Sequence, residues 1–496
     1  MHQTAQRLLI SCLLVFTASV VSAARIPELP RIHGDDLARD GRNVRVGDHL
    51  RVTDIEVPAT SETLAFDVER FEVFAPDAEI VVHGAHGATR MKPPANTYFR
   101  GAVAGEDGSR VFLEVHPDGV TRGIVTRAGD DSYLIDSAQE DAPPPGSPRR
   151  LRAERADAAL LKARRTEPFK CADDELPPVP HDAFGFDALG GPPTAKATSA
   201  ASASAPASAP ARTAHVAIET DFEYYSKFNN TTNATNYVGN LIGYASTIYV
   251  NELNTSLVVQ SLSLWTTASD PWVQSTTACG PMEFGHYWNK NHSGVSRTIA
   301  HFLSGKGLGG GIAWLGVLCS GGFGASGSCP GLATDAPWGG GYGFTASISG
   351  RFDINNPTVM WDIMAVAHEI GHNFNSPHTH CYAGISGNPS PIDQCYGGEG
   401  GCYSGATSLP GPAGAGSGTI MSYCHLTRGS YSDMSLNFGT NHPYGVAPGR
   451  EAARMNTYVT SVASGNPACL APVSSAFFSN GFESGSLPAP WADVVP

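Results

Sequence analysis

The chain has 496 residues, is 41% apolar and carries a formal net charge of -14, enough material for more than one buried core. The acidic balance, with no basic stripe interleaved with aromatics, speaks against nucleic acid as a partner. The first segment, MHQTAQRLLISCLLVFTASVVSAARIP, has a basic Arg7, an apolar run from Leu8 to Val21 and small residues after it. This predicts a secretory signal peptide over residues 1–23 and hence a secreted, extracellular protein. The run is short for a bilayer span and no basic stop follows, so no membrane anchor is expected.

Residues 24–191 form the next unit. HLRVTDIEV, ETLAFDVERFEVF, RVFLEVHP, VTRGIVTRAG and DSYLIDSA alternate apolar and polar positions, which predicts a small, mainly β domain. A helix is expected over about residues 152–165, inside the basic stretch SPRRLRAERADAALLKARR. Residues 192–213 are Ala, Ser, Pro and Thr without an apolar face, an exposed linker.

The unit after the linker, residues 214–470, opens with the strand HVAIETD, the helix YVGNLIGYASTIYVNEL and the strand TSLVVQSLSLW. VSRTIAHFLSG then reads as a helix, GIAWLGVLC as a buried strand and YGFTASIS as a half-buried strand. The alternation predicts an α/β sandwich with a mixed sheet, YGFTASIS being the antiparallel edge strand. KGLGGG at 306–311 lacks the order of a phosphate-binding loop and is read as loop. Residues 471–496 read as a tail or the start of a truncated C-terminal extension.

Cysteine usage follows the same division. Of ten cysteines, Cys12 lies in the signal segment and eight lie after residue 214, an even number that suits a disulfide-braced exported domain. Their pairing is not readable from spacing. Cys171 is the odd one, standing alone before the linker.

The chemistry is concentrated in NNPTVMWDIMAVAHEIGHNFNSPHTHC. Asn356 can cap a helix and Pro357 suits its first turn, so the segment from Val359 to about Phe374 is predicted helical. His368 and His372, four apart, project from one helix face and can share one ion. Ile363, Val366, Ile370 and Phe374 remain to fill the core. Glu369 is offset from both histidines, the position of a base beside a metal-bound water. His378 must reach back after a sharp turn, for which Asn375 in a left-handed conformation and Pro377 supply the stop. Three histidines leave a tetrahedral zinc one open position, as catalysis needs. His380 and His425 lack ligand spacing and are expected at the surface.

HEIGHNFNSPH followed by GTIMSYC resembles the metzincin zinc metallopeptidases, and within them the reprolysin or adamalysin-like group. Asn375 replaces that family's glycine and meets the same backbone need. The resemblance implies a metzincin-type catalytic domain over 214–470, with an antiparallel-edged mixed sheet and an active-site helix, preceded by a propeptide over 24–191. It also implies that VSRTIAHFLSG is a helix and PGREAARMNTYVTSVA the C-terminal helix. Met421 would be the turn methionine that floors the zinc ligands, and Tyr423, two residues on, a candidate transition-state stabiliser as in astacins and serralysins. Cys171 would be a propeptide thiol that blocks the zinc. The activity implied is a zinc endopeptidase acting on protein or peptide substrates with its own propeptide as inhibitor. Calcium is a further cofactor the resemblance allows, though no EF-hand-like spacing is present. A secreted binding module with a structural metal is the competing reading, and the intact Glu369 weighs against it.

Overall fold

The computed structural model describes residues 28–129, 131–137, 150–156, 169–171, 176, 210–325, 327, 329–428, 430–470 and 472. The signal segment, nearly all of the linker and the tail apart from residue 472 lie outside the described residues. Before the linker the strands are β1 (Arg31–His33), β2 (His49–Val57), β3 (Glu62–Phe71), β4 (Phe74–Gly84), β5 (Gly87–Met91), β6 (Thr97–Val103), β7 (Arg110–Val115), β8 (Thr121–Thr126), β9 (Ser132–Asp136) and β10 (Glu154–Arg155). Eight of them form one sheet in the order β1-β2-β3-β6-β7-β8-β9-β10, antiparallel except for the parallel β1–β2 pair.

The alternation seen in the sequence sorts this sheet into two buried faces. Val52, Phe66, Phe99, Leu113 and Val125 close a core of their own. Their neighbours Phe71, Tyr98, Phe112, Ile124 and Leu134 point the other way and join the core of the second half. The helix expected over 152–165 is not what residues 152–156 form. Glu154 and Arg155 pair with Leu134 and Tyr133 as β10, because Leu151 and Ala153 just before them are buried against the first core; residues 157–168 lie outside the described residues.

After the linker come β11 (Arg212–Thr220), α1 (Thr231–Leu253), β12 (Thr255–Trp265), α2 (Cys279–Asn291), β13 (Ile299–Leu303), β14 (Gly311–Ala313), β15 (Tyr342–Thr345), α3 (Val359–Asn373) and α4 (Arg450–Gly465). The second sheet runs β14-β15-β13-β11-β12-β4-β5, so the β4–β5 hairpin from before the linker extends it. Asn230 caps α1 by accepting from the Asn233 amide at 2.9 Å, and Asn254 ends it with φ 49°. Nearly all of α1 is buried, and it bonds through Tyr249 Oη to the Ala367 carbonyl of α3 at 2.9 Å.

Three expectations for this half are corrected. VSRTIAHFLSG is a strand over Ile299–Leu303, parallel to β11 and β15 and buried throughout. A strand covered on both faces shows no alternation, and apolar residues at 299, 302 and 303 then imitate helical spacing. YGFTASIS is a strand only over Tyr342–Thr345 and lies inside the sheet between β13 and β14. The antiparallel edge is β14, which opens at the last glycine of the 306–311 run, and GIAWLGVLC is extended only there. Helix α2 had no counterpart in the sequence reading. The catalytic-motif helix starts at Val359 after Thr358, not at an Asn356 cap. Its apolar residues Ile363, Val366, Ile370 and Phe374 are fully buried, as expected.

All eight cysteines after residue 214 pair, as Cys279–Cys329, Cys319–Cys469, Cys381–Cys402 and Cys395–Cys424. Cys171 is buried and takes no part in these four disulfides. Among the described residues no helix is long and apolar enough to cross a membrane.

Candidate metal centre

One turn of α3 separates His368 from His372, and Asn375 then ends the helix with φ 72°. Its amide donates to the His372 carbonyl at 2.8 Å, and Arg454 of α4 holds its carbonyl at 2.6 Å and its Oδ1 at 2.9 Å. This clamp turns the chain so that His378 comes back under the helix. His368 Nε2 lies 3.2 Å from both His378 Nε2 and His372 Nε2. All three rings are fully buried.

The opposite ring nitrogens determine what these three can do. His368 Nδ1 faces the Ile420 carbonyl at 2.7 Å, His372 Nδ1 the Ser376 carbonyl at 2.8 Å and His378 Nδ1 the Glu399 carboxylate at 2.7 Å. Each partner is an acceptor, so each Nδ1 carries the proton and each Nε2 turns a lone pair toward the same point. Three converging lone pairs repel one another unless a cation lies between them. Ligands of a tetrahedral zinc with bonds of about 2.0–2.1 Å sit roughly 3.3–3.4 Å apart, close to the spacing here, so the residues fit zinc. Burial, with the other two imidazoles adding to it, drives the His368 pKa well below its ordinary value, which keeps the ring neutral and able to ligate.

Glu399 anchors this arrangement from outside. Its Oε2 receives His378 Nδ1 and His380 Nε2, both at 2.7 Å. Burial alone would raise its pKa, but the two imidazole hydrogen bonds outweigh that and hold it well below the usual carboxylate range. His380 is therefore buried, as is His425, and both depart from the surface placement expected of them. Each takes part in the site's hydrogen bonds, which makes burial tolerable.

Met421 is the residue expected as the turn methionine. It is fully buried, and its sulfur would lie 2.6 Å from a Cβ built on Gly371, so the glycine of HEIGH admits it beneath the helix. The Met421 carbonyl accepts the Thr379 amide at 3.1 Å, tying the turn to the segment that carries His378. Glu369 is buried beside the ligands, and a Cβ on Gly311 of β14 would come within 2.4 Å of its Oε1.

Residues 169–171 reach into this centre from before the linker. Cys171 Sγ lies 3.3 Å from Glu369 Oε2 and 3.4 Å from His372 Nε2, and it joins the three histidines as a group able to hold one ion. Tyr423 Oη donates to the Cys171 carbonyl at 2.7 Å, and His425 Nε2 donates to the Phe169 carbonyl at 2.7 Å. Phe169 packs edge-on against His368 with ring centroids 5.2 Å apart. The Lys170 carbonyl would collide with any Cβ on Gly310, at 1.8 Å, so the glycines before β14 let another backbone lie against that edge.

The structure thus brings together every residue singled out in the sequence: His368, Glu369, His372, His378, Met421, Tyr423, Cys171 and the turn at Asn375. It adds Glu399, Arg454, His425 and the glycine pair 310–311. Glu399 is a lone carboxylate in a glycine-rich loop before Cys402, and Arg454 sits on a distant helix, so neither had a spacing signal.

A search of curated proteins found no match. Among solved structures, metalloproteinase-II from Bacteroides fragilis is similar over 71% of this chain and 90% of its own, with 12% identity and a TM-score of 0.36. The family model described as "Metallo-peptidase family M12" matches residues 210–434, the stretch that contains all three histidines, Glu369 and the methionine turn. Over residues 210–434 the chain is therefore similar to the metallopeptidases of family M12.

Proposed function

We propose that the chain is a secreted zinc endopeptidase made as a latent proenzyme, with residues 24–191 as the propeptide and 214–470 as the catalytic domain, acting on extracellular proteins or peptides. The observation that carries this reading is the convergence of three Nδ1-anchored imidazoles beside Glu369, with the Cys171 thiol among them.

His368, His372 and His378 would hold the zinc, which when bound supplies a water of lowered pKa and polarises the scissile carbonyl. Glu369 accepts a proton from the attacking water at its carboxylate and delivers one to the leaving amine. Its burial against Gly311 keeps the carboxylate aimed inward. Tyr423 donates to the Cys171 carbonyl; once residues 169–171 leave, its hydroxyl can donate to the carbonyl oxygen on which charge develops. A substrate would lie along β14 through backbone pairing, where glycines 310 and 311 leave room. Residues 169–171 already use that space, and a Cys171 thiolate is a ligand zinc accepts in place of water. This is the basis of latency.

The test is hydrolysis of a quenched peptide library by processed protein, with chelation, zinc restoration and Glu369→Gln in parallel. Zinc-restorable cleavage lost in the variant is expected; a folded, zinc-loaded protein that cuts nothing would favour a binding module. Cys171→Ser in the uncut chain should raise activity about tenfold or more, a ligand difference of about 1.4 kcal/mol or greater. An equally silent variant would remove the thiol from the account of latency.

A further inference from the structure

We infer that the β unit of residues 28–156 is a lasting structural subunit of the folded enzyme, which stays docked on the catalytic half after the chain is cut on both sides of residues 169–171. The disposable role of residues 169–171 rests on the proposed latency; the docking does not.

The first observation is a sheet edge. β12, TSLVVQSLSLW, has eleven residues with no charge and no proline. Without the β unit it would be an open, flat edge, the kind that pairs with other chains. β4 covers it in parallel register from Val259↔Phe74 to Trp265↔His83. Beyond β4 the sheet ends at β5, which is exposed and carries Arg90 paired to Glu79 at 2.6 Å. The protected edge of the whole sheet therefore belongs to the N-terminal unit.

The second is the face of α1. Glycine weakens a helix interior relative to alanine, yet α1 has Gly239 and Gly243 on the face turned to the N-terminal sheet. A Cβ at Gly243 would meet the Phe112 ring at 2.4 Å and one at Gly239 the Tyr98 hydroxyl at 2.9 Å. The three nearest atoms to each such Cβ all belong to the N-terminal unit.

The third is a set of buried polar groups on α1 whose partners stand across the seam. Asn240 Nδ2 donates to Glu114 at 3.0 Å, Asn236 Oδ1 accepts from Asn96 at 3.0 Å, and Tyr244 is hydrogen-bonded to Thr126. Glu252 faces Arg110 at 4.0 Å, both side chains less than a tenth exposed. Glu114 itself is fully buried and also receives His116 at 2.8 Å. Such a network specifies one partner surface, because any replacement would leave several of its members unsatisfied. Apolar side chains of both halves close around it as one core.

The experiment uses the full chain with recognition sites for a sequence-specific protease placed within 157–168 and within 192–213. After cutting, size exclusion with denaturing gels should show the two large fragments co-eluting one to one, and near-ultraviolet circular dichroism should show them unfolding in one transition. An N-terminal fragment that elutes alone, leaving a folded and monodisperse catalytic fragment, would overturn the inference. Tyr244→Phe, which deletes one seam hydrogen bond without changing shape, should raise the fragment dissociation constant about three- to tenfold; an unchanged constant would overturn the assigned seam. Neither readout uses peptide cleavage, so a failure here is distinct from a failure of the protease reading.

Discussion

Two stretches from before the linker meet the catalytic half in opposite ways. The β unit buries Phe71, Phe74, Tyr98 and Phe112 into a common core and adds a hairpin to the sheet. Residues 169–171 also bury Phe169 and Cys171 in that core, but they meet the metal centre through carbonyl hydrogen bonds, the Cys171 thiol and the edge-on Phe169 ring. The first contact uses shape and area that no other peptide reproduces. The second uses backbone carbonyls and a zinc-seeking group, which a substrate and a water molecule can replace. Structural support and the proposed latency thus rest on different contacts, even though both precede the linker.

The largest effect should fall on the proposed chemistry at Glu369. Glu369→Gln in processed protein should lower turnover by about 10²–10⁴-fold with unchanged circular dichroism, measured on a quenched peptide. Wild-type turnover would mean that the proton acceptor is another group. The comparison itself is broken or kept by two phenylalanines. Phe112→Ala should cost about 3–5 kcal/mol of global stability in a urea titration of the cut protein, whereas Phe169→Ala, although its ring is fully buried in the uncut chain, should leave the unfolding midpoint of the cut protein nearly where it was once residues 169–171 have left. Equal losses of stability would show that the two contacts are of one kind.

Glu399→Gln tests how far the centre depends on its outer anchor. Zinc affinity, read by chelator competition, should fall by about 10–100-fold, because His378 and His380 lose a common acceptor. A last effect concerns pH and lies beside the seam. Burial raises the pKa of Glu219 to about 8, against which the indole N–H groups of Trp265 and Trp288 pull it down. The folded state therefore keeps a proton that the unfolded chain releases near its ordinary value of 4.5. That contribution is complete below the unfolded value and is lost as pH rises through about 8. The urea midpoint should fall between pH 5 and 8, less steeply in Glu219→Gln; identical slopes would exclude Glu219. The site is close to the docked hairpin, since His83 stacks on Trp265 at 4.0 Å.

Legibility in the sequence followed the range of the interactions. His368, Glu369 and His372 were readable because one helical turn sets their geometry, and Asn375 because its φ of 72° is a local demand. The 299–303 strand was misread as helix, because burial on both faces erases alternation. The edge strand was assigned to YGFTASIS when it lies at Gly311–Ala313, since three residues are too few to show a period. Buried His380 and His425 were read as surface residues, because their partners Glu399 and Phe169 are 19 and 256 positions away.

By itself the sequence determined the mainly β unit, the grouping of His368, His372 and His378 around Glu369, and the parity that singled out Cys171. These rest on periodicity, composition and contacts within a few residues. Only the tertiary structure decided that Cys171 reaches Glu369 across 198 positions, that Glu399 orients His378, and that a hairpin from before the linker completes the second sheet. Those facts depend on which distant surfaces bury one another, and no local spacing encodes that choice.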